Sequence, residues 1–351
     1  MEYIHGGDIY GKEVDLDFSA NINPLGMPKG SIMAAIEGIG CASRYPDYDC
    51  TELKGKIAEK KKIDREKILV GNGAAELIFA FCQSIRPCIA LAVAPCFGEY
   101  ERAVQSVGGA MRYVPLSKNT GFEIQEDFVT MITEEIDMVF LCNPNNPTGK
   151  LIPREILKSI IRKCEETNTY LCIDECFLNF FPEEEDYTLL GSKSSYVIIL
   201  RAFTKIYGMP GLRLGYAVCE NKELLYKTRM VLQPWNVSIV AQMAGIAALE
   251  DKEYLKETHR LIQKERCFLK EEMEKGLAEK VYDSKANFLL FEAEEDLAER
   301  LLKKKILIRD CSNFPNLSRG YFRICVSVHK ENVELVKRWK EIGGKLWQNQ
   351  L

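Results

Sequence analysis

The sequence lacks any long hydrophobic segment. Its longest apolar runs, such as YVIIL at Tyr196 to Leu200, are far shorter than the ~20 residues that a membrane-spanning helix needs. The first residues, MEYIHGGD, also lack the basic and then apolar pattern of a secretory signal. We therefore expect a cytoplasmic protein with no membrane partner.

The chain also has little net charge and few histidines. Acidic and basic residues are interspersed and sum to -4, so no large positive field favours a nucleic acid as a partner. Only three histidines accompany the 13 cysteines, and no His/Cys cluster completes a zinc site, so no metal is predicted. Without an export signal, the cysteines are expected to be free thiols. With these classes disfavoured, we expect an enzyme or binding protein that acts on small molecules.

Short apolar runs alternate with longer amphipathic stretches along most of the chain. Such runs are typical of strands that are buried on both faces in a mostly parallel sheet covered by helices. The predicted strands are Ile68 to Val70, Ile89 to Val93, Met138 to Leu141, Tyr170 to Ile173, Val197 to Leu200 and Gly215 to Val218. Predicted helices include Glu52 to Lys61, Ala75 to Cys82, Arg154 to Cys164 and Ser238 to Leu249. The pattern indicates an α/β fold, a sheet between layers of helices.

The chain changes character after residue 251. A long charged helix, Lys252 to Lys275, precedes NFLLFEA, ILIRD and YFRICVSV, which indicates a smaller α+β domain. We predict a large domain over residues 41–251, and a small domain formed by residues 252–351 together with the N-terminal segment 1–40. The polar stretch DFSANINPLG in that segment is expected near a binding site.

The segment RAFTKIYGMPGLRLGY, which follows a predicted strand, carries the clearest chemical signal. It places Thr204 directly before Lys205 and Arg213 eight residues after it, with glycines between them. Most lysines are simply solvated surface residues. Pyridoxal 5′-phosphate, however, needs an amine that bonds to its aldehyde and donors for its phosphate, and this segment supplies both. We predict that Lys205 binds this cofactor covalently, with Thr204 and Arg213 beside the phosphate.

Two further strand ends carry candidate cofactor ligands. Asp174 ends the run TYLCID, where a carboxylate can also cap a helix or form a turn. Upstream of a cofactor-binding lysine, it can instead keep the pyridine nitrogen protonated, so Asp174 is predicted to be catalytic with Lys205. Asn146 lies in CNPNNPTG, a rigid non-helical loop that could be a simple turn. We predict that Asn146 hydrogen-bonds the ring hydroxyl of the cofactor.

The stretch ILVGNGAAELIFAF is typical of a strand, a glycine turn and a helix. Backbone N–H groups at a helix start can bind a phosphate, so Gly73, Ala74 and Ala75 are predicted to hold the cofactor phosphate. A dinucleotide site is the alternative, but a third glycine and an acidic strand end about 20 residues later are missing. Phe97, in APCFGEY, follows another strand end and could stack on the pyridine ring or pack in the core.

In this order, these segments resemble the fold type I pyridoxal-phosphate family, in particular its branch of histidinol-phosphate aminotransferases and threonine-phosphate decarboxylases. The resemblance covers almost the whole chain and depends on NPNNPTG, Asp174, Lys205 and Arg213 as a set. It implies an aspartate aminotransferase-like fold and a homodimer with shared active sites. It also implies that Tyr45, in RYPDYDCTELK, contacts the cofactor phosphate of the neighbouring subunit.

Three features resemble the decarboxylases of this branch. They are HGGDIYG with DFSANINPLG near the start, Phe177 where aminotransferases usually have tyrosine, and ILIRDCSNFPNLSRGYFRICV near the end. The resemblance implies substrate contacts at His5, Gly6, Asn21, Asn146, Arg309 and Arg323. Two arginines and a histidine suit a substrate with a carboxylate and a phosphate, although arginines on strands can also form surface ion pairs.

The resemblance therefore implies decarboxylation of L-threonine O-3-phosphate to (R)-1-amino-2-propanol phosphate, for cobalamin biosynthesis. Two alternatives stay open, because the bond that breaks depends on sub-ångström placement of the substrate and one methyl group discriminates weakly. One is an aminotransferase of histidinol phosphate or a related amino acid, and the other is a decarboxylase that prefers phosphoserine. A non-catalytic module of the same fold should have lost Lys205 or Asp174, and both are present.

Overall fold

A computed structural model describes residues 5–343 of the chain. Its strands are β1 (Leu16–Asp17), β2 (Ile68–Gly71), β3 (Ile89–Ala94), β4 (Ala110–Pro115), β5 (Met138–Cys142), β6 (Tyr170–Asp174), β7 (Val197–Ala202), β8 (Gly215–Cys219), β9 (Lys280–Val281), β10 (Phe288–Glu292), β11 (Ile306–Leu307), β12 (Arg309–Asp310) and β13 (Tyr321–Cys325). Its α-helices are α1 (Lys29–Gly40), α2 (Thr51–Lys61), α3 (Ala74–Ile85), α4 (Glu99–Gln105), α5 (Arg154–Thr167), α6 (Phe203–Ile206), α7 (Lys222–Val231), α8 (Ile239–Glu250), α9 (Lys252–Glu274), α10 (Leu297–Lys303) and α11 (His329–Ile342).

Within the described residues, β2 to β8 form one sheet in the order β2-β8-β7-β6-β5-β3-β4. Strand β8 runs antiparallel to both of its neighbours, and the other neighbouring pairs are parallel. Strands β2, β5 and β8 are buried along their whole length. Because successive side chains point to opposite faces of a sheet, both faces must be covered. The predicted α/β class with a mostly parallel sheet is confirmed.

The six predicted strands all correspond to strands of this sheet. Strand β4 falls outside the predictions, because its burial is uneven, it contains Arg112 and it ends in Pro115. These features suit the edge of a sheet, where a strand pairs on one side only. A search for wholly apolar runs therefore finds the central strands and misses an edge strand.

The parallel strands β5, β6 and β7 end at the same edge of the sheet. Cys142 at the end of β5 pairs with Asp174 at the end of β6, and Asp174 pairs with Leu200 in β7. Ala202, the last residue of β7, pairs with Gly215, the first residue of β8. The loops that leave these strands and the loop that enters β8 therefore meet at one edge, which is where open α/β sheets bind their ligands.

The C-terminal part of the described chain forms a second, antiparallel sheet in the order β12-β13-β10-β9, with α9 against it. The N-terminal segment joins this part through β1, which pairs in parallel with β11. Helix α1, from the same segment, instead packs against α8: a Cβ at Gly38 would lie 2.9 Å from Val240 Cα. The predicted domain limits, 41–251 against 1–40 with 252–351, stay a prediction.

The structure also describes the cysteines, the length of the helices and whether any side chains cluster so as to bind a metal ion. All 13 cysteines are free thiols, and most are buried. None of the helices in residues 5–343 combines the length and the apolar character needed to cross a lipid bilayer. The same residues contain no group of three His, Cys, Asp or Glu side chains placed to hold a metal ion.

Candidate active site

A cavity of about 440 Å³ opens at the edge of the central sheet where β5, β6 and β7 end. Its walls come from the central sheet, the N-terminal segment and the second sheet. The predicted site residues that line it are His5, Gly6, Asn21, Ala74, Ala75, Phe97, Asn146, Asp174, Thr204, Lys205, Arg213, Arg309 and Arg323. The fold thus brings together residues that lie more than 300 positions apart in the sequence.

Lys205 lies in the short helix α6, which follows β7 directly. Its backbone carbonyl accepts hydrogen bonds from Asn23 N (3.0 Å) and Gly208 N (3.3 Å), which fixes the segment. Burial, together with the charges of Arg323 and Arg213, lowers the pKa of the Lys205 amine to about 8. An amine with this pKa is partly neutral near pH 7, as a nucleophile must be.

Asp174 is buried at the end of β6, and each of its carboxylate oxygens accepts one hydrogen bond. Oδ1 accepts from Cys176 N (2.9 Å) and Oδ2 accepts from the hydroxyl of Tyr100 (2.8 Å). Tyr100 is itself stacked on Phe140, with 5.0 Å between the ring centroids. The sequence predictions do not include Tyr100, although it stands three residues after Phe97 in APCFGEY.

A buried ion-pair network joins the ends of β6 and β7. Arg201 in β7 forms ion pairs with Glu175 (2.6 Å between Nη2 and Oε2) and with Glu184 (2.8 Å between Nη1 and Oε2). The side chains of Arg201 and Glu175 are both at most 1% exposed. Because Glu175 follows Asp174 and Arg201 precedes Lys205 by four residues, the network fixes the two strand ends that carry the predicted catalytic pair.

The loop between β5 and α5 is held by its asparagines. Asn143 Oδ1 accepts a hydrogen bond from Ile152 N (2.9 Å), and Asn145 Nδ2 donates one to the carbonyl of Pro95 (3.1 Å). The loop is non-helical, as its sequence predicts. It places Asn146 in the cavity wall, where Asn146 Oδ1 accepts a hydrogen bond from Arg323 Nη1.

Helix α3 begins at Ala74, directly after Gly73. Gly73 has a φ of +84°, and a Cβ there would lie 2.7 Å from Arg213 Nη2. Glycine alone allows both this backbone conformation and this approach of the guanidinium. Gly73 does not line the cavity itself, but it leaves room for Arg213 beside the helix start. N–H groups of a helix start, a guanidinium and the Thr204 hydroxyl are the donors that a phosphate dianion requires.

Arg309 and Arg323 are paired residues on the antiparallel strands β12 and β13. Both are buried and both line the cavity. Arg309 Nη2 donates to Asn313 Oδ1 (2.7 Å), and Arg323 Nη2 donates to the carbonyl of Ser19 (3.0 Å). Burial lowers the pKa of both guanidinium groups, that of Arg323 to about 10. Like charges placed opposite each other are destabilising, so an anion between them would be stabilised.

Arg323 does not form a surface ion pair. Its guanidinium makes no contact with a carboxylate among residues 5–343, and its Nε has no hydrogen-bond partner there. A buried donor without a partner is costly, and a bound ligand can satisfy it. Asn21 is similar: it is buried in the cavity wall, and its Oδ1 has no partner within the described chain.

The N-terminal segment closes one side of the cavity. Gly6 lies against Ser19, since a Cβ at Gly6 would be 2.0 Å from the Ser19 carbonyl oxygen. His5 Nε2 lies 2.9 Å from Glu99 Oε1, and the His5 ring is 5.9 Å from the ring of Phe97. Glu99 and Asn313, which orient His5 and Arg309, are not predicted from the sequence.

Tyr45 lies outside the cavity of its own chain. It is 77% exposed and stacks on Trp235, with 4.4 Å between the ring centroids. The predicted contact is with a neighbouring subunit, and it stays a prediction.

The remaining lining residues lie near the site only through tertiary structure. They are Ser19, Ala20, Ile78, Cys96, Gly98, Glu99, Glu101, Cys176, Phe177, Ala202, Asn313, Phe314 and Pro315. Most are small or apolar. Ser19 and Ala20 lie in DFSANINPLG, which the sequence predicts near a binding site, and Phe177 and residues 313–315 lie in segments that resemble the decarboxylases.

The model of the family called aminotransferase class I and II matches residues 13–338. This chain belongs to that family. Members of the family use pyridoxal phosphate, so the predicted cofactor is confirmed. The predicted fold, the aspartate aminotransferase-like fold of these enzymes, is confirmed as well.

The proteins that this chain is similar to include a decarboxylase, a protein of adenosylcobalamin biosynthesis and an aminotransferase. A threonine-phosphate decarboxylase from Salmonella typhimurium is 36% identical over 330 residues, which are 93% of this chain and 91% of that protein. An adenosylcobalamin biosynthesis bifunctional protein from Leptospira interrogans is 33% identical over 94% of this chain and 39% of its own length. The crystal structure of a histidinol-phosphate aminotransferase from Clostridium acetobutylicum has a TM-score of 0.87 and 33% identity, covering 96% of this chain and 100% of that one. The predicted branch of the family is confirmed.

The residues of the cavity fit the family's cofactor. Gly73 leaves the space that Arg213 occupies, and the start of α3 provides backbone N–H groups beside it. The amine of Lys205 and the carboxylate of Asp174 line the same cavity. A carboxylate oxygen has two acceptor sites, so the oxygens of Asp174 retain capacity for a donor on the ring.

Proposed function

We propose that this enzyme decarboxylates L-threonine O-3-phosphate to (R)-1-amino-2-propanol phosphate for cobalamin biosynthesis. The pair Arg309 and Arg323 carries the proposal: two buried guanidinium groups lie on adjacent strands in the cavity of Lys205. A substrate with both a carboxylate and a phosphate needs two cationic sites, whereas a simple amino acid needs one. The names of the Salmonella and Leptospira relatives support this substrate and this biosynthetic context.

The cofactor would be held by groups at three places in the cavity. Lys205 would bond to its aldehyde, Asp174 would contact its ring nitrogen, and Asn146 its ring hydroxyl. Phe97 would lie against the ring. The phosphate would be bound by Gly73, Ala74, Ala75, Thr204 and Arg213, and by Tyr45 of the neighbouring subunit.

When bound, pyridoxal phosphate supplies a protonated ring that accepts the electron pair left when the bond to the carboxylate breaks. Asp174 holds the proton on the ring nitrogen. Arg323 binds the substrate carboxylate. Arg309 and His5 bind the substrate phosphate. Gly6 and Asn21 line the side of the site formed by the N-terminal segment and contact the substrate. Lys205, whose pKa is lowered to about 8, returns one proton to the former α-carbon after CO2 leaves.

The alternative reaction is transamination of histidinol phosphate or a related amino acid, and the Clostridium structure favours it. An aminotransferase breaks the bond to hydrogen, and the choice depends on which bond stands perpendicular to the ring. Phosphoserine is a second alternative, since it differs from phosphothreonine by one methyl group, which discriminates by only ~1–3 kcal/mol.

Product analysis in deuterated water separates these reactions. The holoenzyme is incubated with carboxyl-labelled O-phospho-L-threonine, with and without a 2-oxo acid, and Lys205→Ala serves as the control. We expect labelled CO2 without any acceptor, and an amine product with one deuterium at the former α-carbon. Acceptor-dependent consumption without CO2 would replace the proposal with transamination. O-Phospho-L-serine and histidinol phosphate, assayed in parallel, rank the substrates.

We further propose a homodimer with shared active sites. Helix α1 exposes one apolar row, Ile32, Met33, Ile36 and Ile39, each at least 43% exposed. Contiguous exposed apolar surface marks a protein–protein interface. Tyr45 lies beyond the end of the same helix and outside its own cavity, in keeping with a contact across that interface.

Mixing two inactive variants tests the shared site. Subunits with Lys205→Ala keep Tyr45, and subunits with Tyr45→Ala keep Lys205. If Tyr45 acts on the neighbouring cavity, hybrid dimers regain one intact site, so mixing should restore about a quarter of the activity. If sedimentation shows that hybrid dimers are present and no activity is recovered, the shared site is contradicted.

The cytoplasmic location predicted from the sequence stays a prediction.

A further inference from the structure

The hydroxyl of Tyr100 is a side-chain donor that anchors Asp174. It donates to Asp174 Oδ2 (2.8 Å), while the backbone N–H of Cys176 donates to Oδ1 (2.9 Å). We propose that Tyr100 is a positioning residue: its hydroxyl holds the Asp174 carboxylate in the plane that presents it to the ring nitrogen of the cofactor. The inference rests on the proposed cofactor contact of Asp174 and is independent of which reaction follows.

Two donors define the orientation of a carboxylate better than one. The terminal torsion of an aspartate is broad and roughly two-fold, so a single hydrogen bond leaves the plane of the carboxylate poorly fixed. Donors on both oxygens fix it. Each oxygen has two acceptor sites, so one bond from the protein leaves room for a bond from the ring N–H.

Tyr100 is placed rigidly enough for this role. It is 1% exposed and stacks on Phe140, with an interplanar angle of 11°. Phe97 contacts it edge-on, with 5.6 Å between the ring centroids. Because the ring is already fixed by packing, its hydroxyl loses little further freedom when it donates to Asp174.

Tyr100 also stays a donor at physiological pH. Burial, and then the negative charge of Asp174, raises the pKa of Tyr100 well above its ordinary value. The hydroxyl therefore keeps its proton and gives Asp174 a charge-assisted hydrogen bond. The same ring supports Phe97, so one side chain links the residue proposed to lie against the cofactor ring with the carboxylate at its nitrogen.

The test is Tyr100→Phe, which keeps the ring and its packing and removes the hydroxyl. Tyr282→Phe is the matched control, because Tyr282 is also buried and donates to a carboxylate, Glu292, on the second sheet outside the cavity. Binding of pyridoxal phosphate to the apoprotein is measured by its visible absorbance and by quenching of protein fluorescence. We expect Tyr100→Phe to weaken binding about tenfold, because Asp174 is then less well oriented for its charged hydrogen bond to the cofactor ring, and Tyr282→Phe to leave it within twofold.

The pH midpoint of the bound cofactor's visible band is a second readout that does not depend on turnover. It should shift in Tyr100→Phe, because Asp174 is less well oriented toward the ring proton, and it should not shift in Tyr282→Phe. Cofactor affinity within twofold of the parent enzyme and an unchanged midpoint in Tyr100→Phe would overturn the proposal. Equal losses in both variants would do the same, since they would reflect general destabilisation.

A double-mutant cycle tests whether Tyr100 acts through Asp174. In an Asp174→Asn background, Tyr100→Phe should cause less than a twofold further loss of cofactor affinity, whereas a full tenfold loss would show an independent role. Tyr100→Met, which also lacks the hydroxyl, is expected to behave in the same way and substitutes if Tyr100→Phe fails to fold. A failure of the CO2 assay alone would revise the reaction and leave this inference standing.

Discussion

The lowered pKa of Lys205 predicts how cofactor capture depends on pH. Only a neutral amine attacks an aldehyde, so the rate at which apoprotein captures pyridoxal phosphate follows the neutral fraction of Lys205. Burial and the charges of Arg323 and Arg213 lower the pKa of this amine from 10.5 to about 8. The rate should therefore rise with pH, with a midpoint near about pH 8, and level off about one pH unit higher.

The size of the effect follows from the two pKa values. At about pH 7.5, an amine with a pKa of about 8 is roughly 24% neutral, whereas one at 10.5 is roughly 0.1% neutral. Lys205 is thus expected to react about 240-fold faster than a solvated lysine of equal nucleophilicity. Loss of a neighbouring positive charge should raise the pKa again, so Arg323→Gln should move the midpoint upward, by up to about one pH unit.

Rapid mixing of apoprotein with the cofactor measures this prediction. The initial rate of the visible absorbance change is recorded from about pH 6 to pH 11 for the parent enzyme, Arg323→Gln and Lys205→Ala. A blocked lysine in solution, whose pKa is ~10.4, corrects for the titration of the cofactor itself. Substrate is absent, so the proposed role of Arg323 in substrate binding does not interfere.

Three results would contradict the reasoning. A midpoint above about pH 10, equal to that of the blocked lysine, would show that the cavity does not lower the pKa of Lys205. An unchanged midpoint in Arg323→Gln would remove the contribution of the neighbouring charge and leave burial alone. Absorbance growth in Lys205→Ala would show that another amine captures the cofactor.

Three further substitutions test separate parts of the structure. Gly73→Ala places a Cβ against Arg213 at a positive φ, so it should lower the unfolding free energy by ~1–3 kcal/mol and weaken cofactor binding, measured by urea unfolding and titration. Gly55→Ala, with open space around it in α2, should instead add up to ~1 kcal/mol, and equal losses in both would contradict the steric argument. Arg309→Ala should raise KM for phosphothreonine at least ~10-fold and leave cofactor binding unchanged; a steady-state assay with no selective loss would reassign Arg309. Arg201→Met leaves the buried carboxylates of Glu175 and Glu184 without their arginine partner, so it should lower the unfolding free energy by ~3–5 kcal/mol. A loss below ~1 kcal/mol would show that the network contributes little to stability.

Local sequence predicts much of the candidate site, because the proposed cofactor contacts lie at or near the ends of strands. Asp174 is the last residue of β6, Asn146 and Lys205 follow β5 and β7, and Arg213 precedes β8. Parallel strands carry their carboxyl ends to one edge, so a correct set of strands already implies that these residues meet. The glycine turn before α3, which is proposed to bind the cofactor phosphate, is predicted in the same way.

Other contacts have no local signal. Tyr100 reaches Asp174 from 74 positions away, and Glu99 reaches His5 from 94 positions away. Tyr100 and Glu99 lie in the short helix α4, which is not among the predicted helices. Their contacts depend on how α4 packs beside β5 and on the path of the N-terminal segment, and neither feature follows from residue spacing.

By itself, the sequence determined the fold class and the cofactor, and it predicted the site residues at the strand ends, because strand burial and turn chemistry are local properties. Only the tertiary structure decided that Arg309 and Arg323 pair on adjacent strands and that Asp174 has a donor on each oxygen. The physical reason is that these facts are distances between segments far apart in the chain, and packing sets such distances.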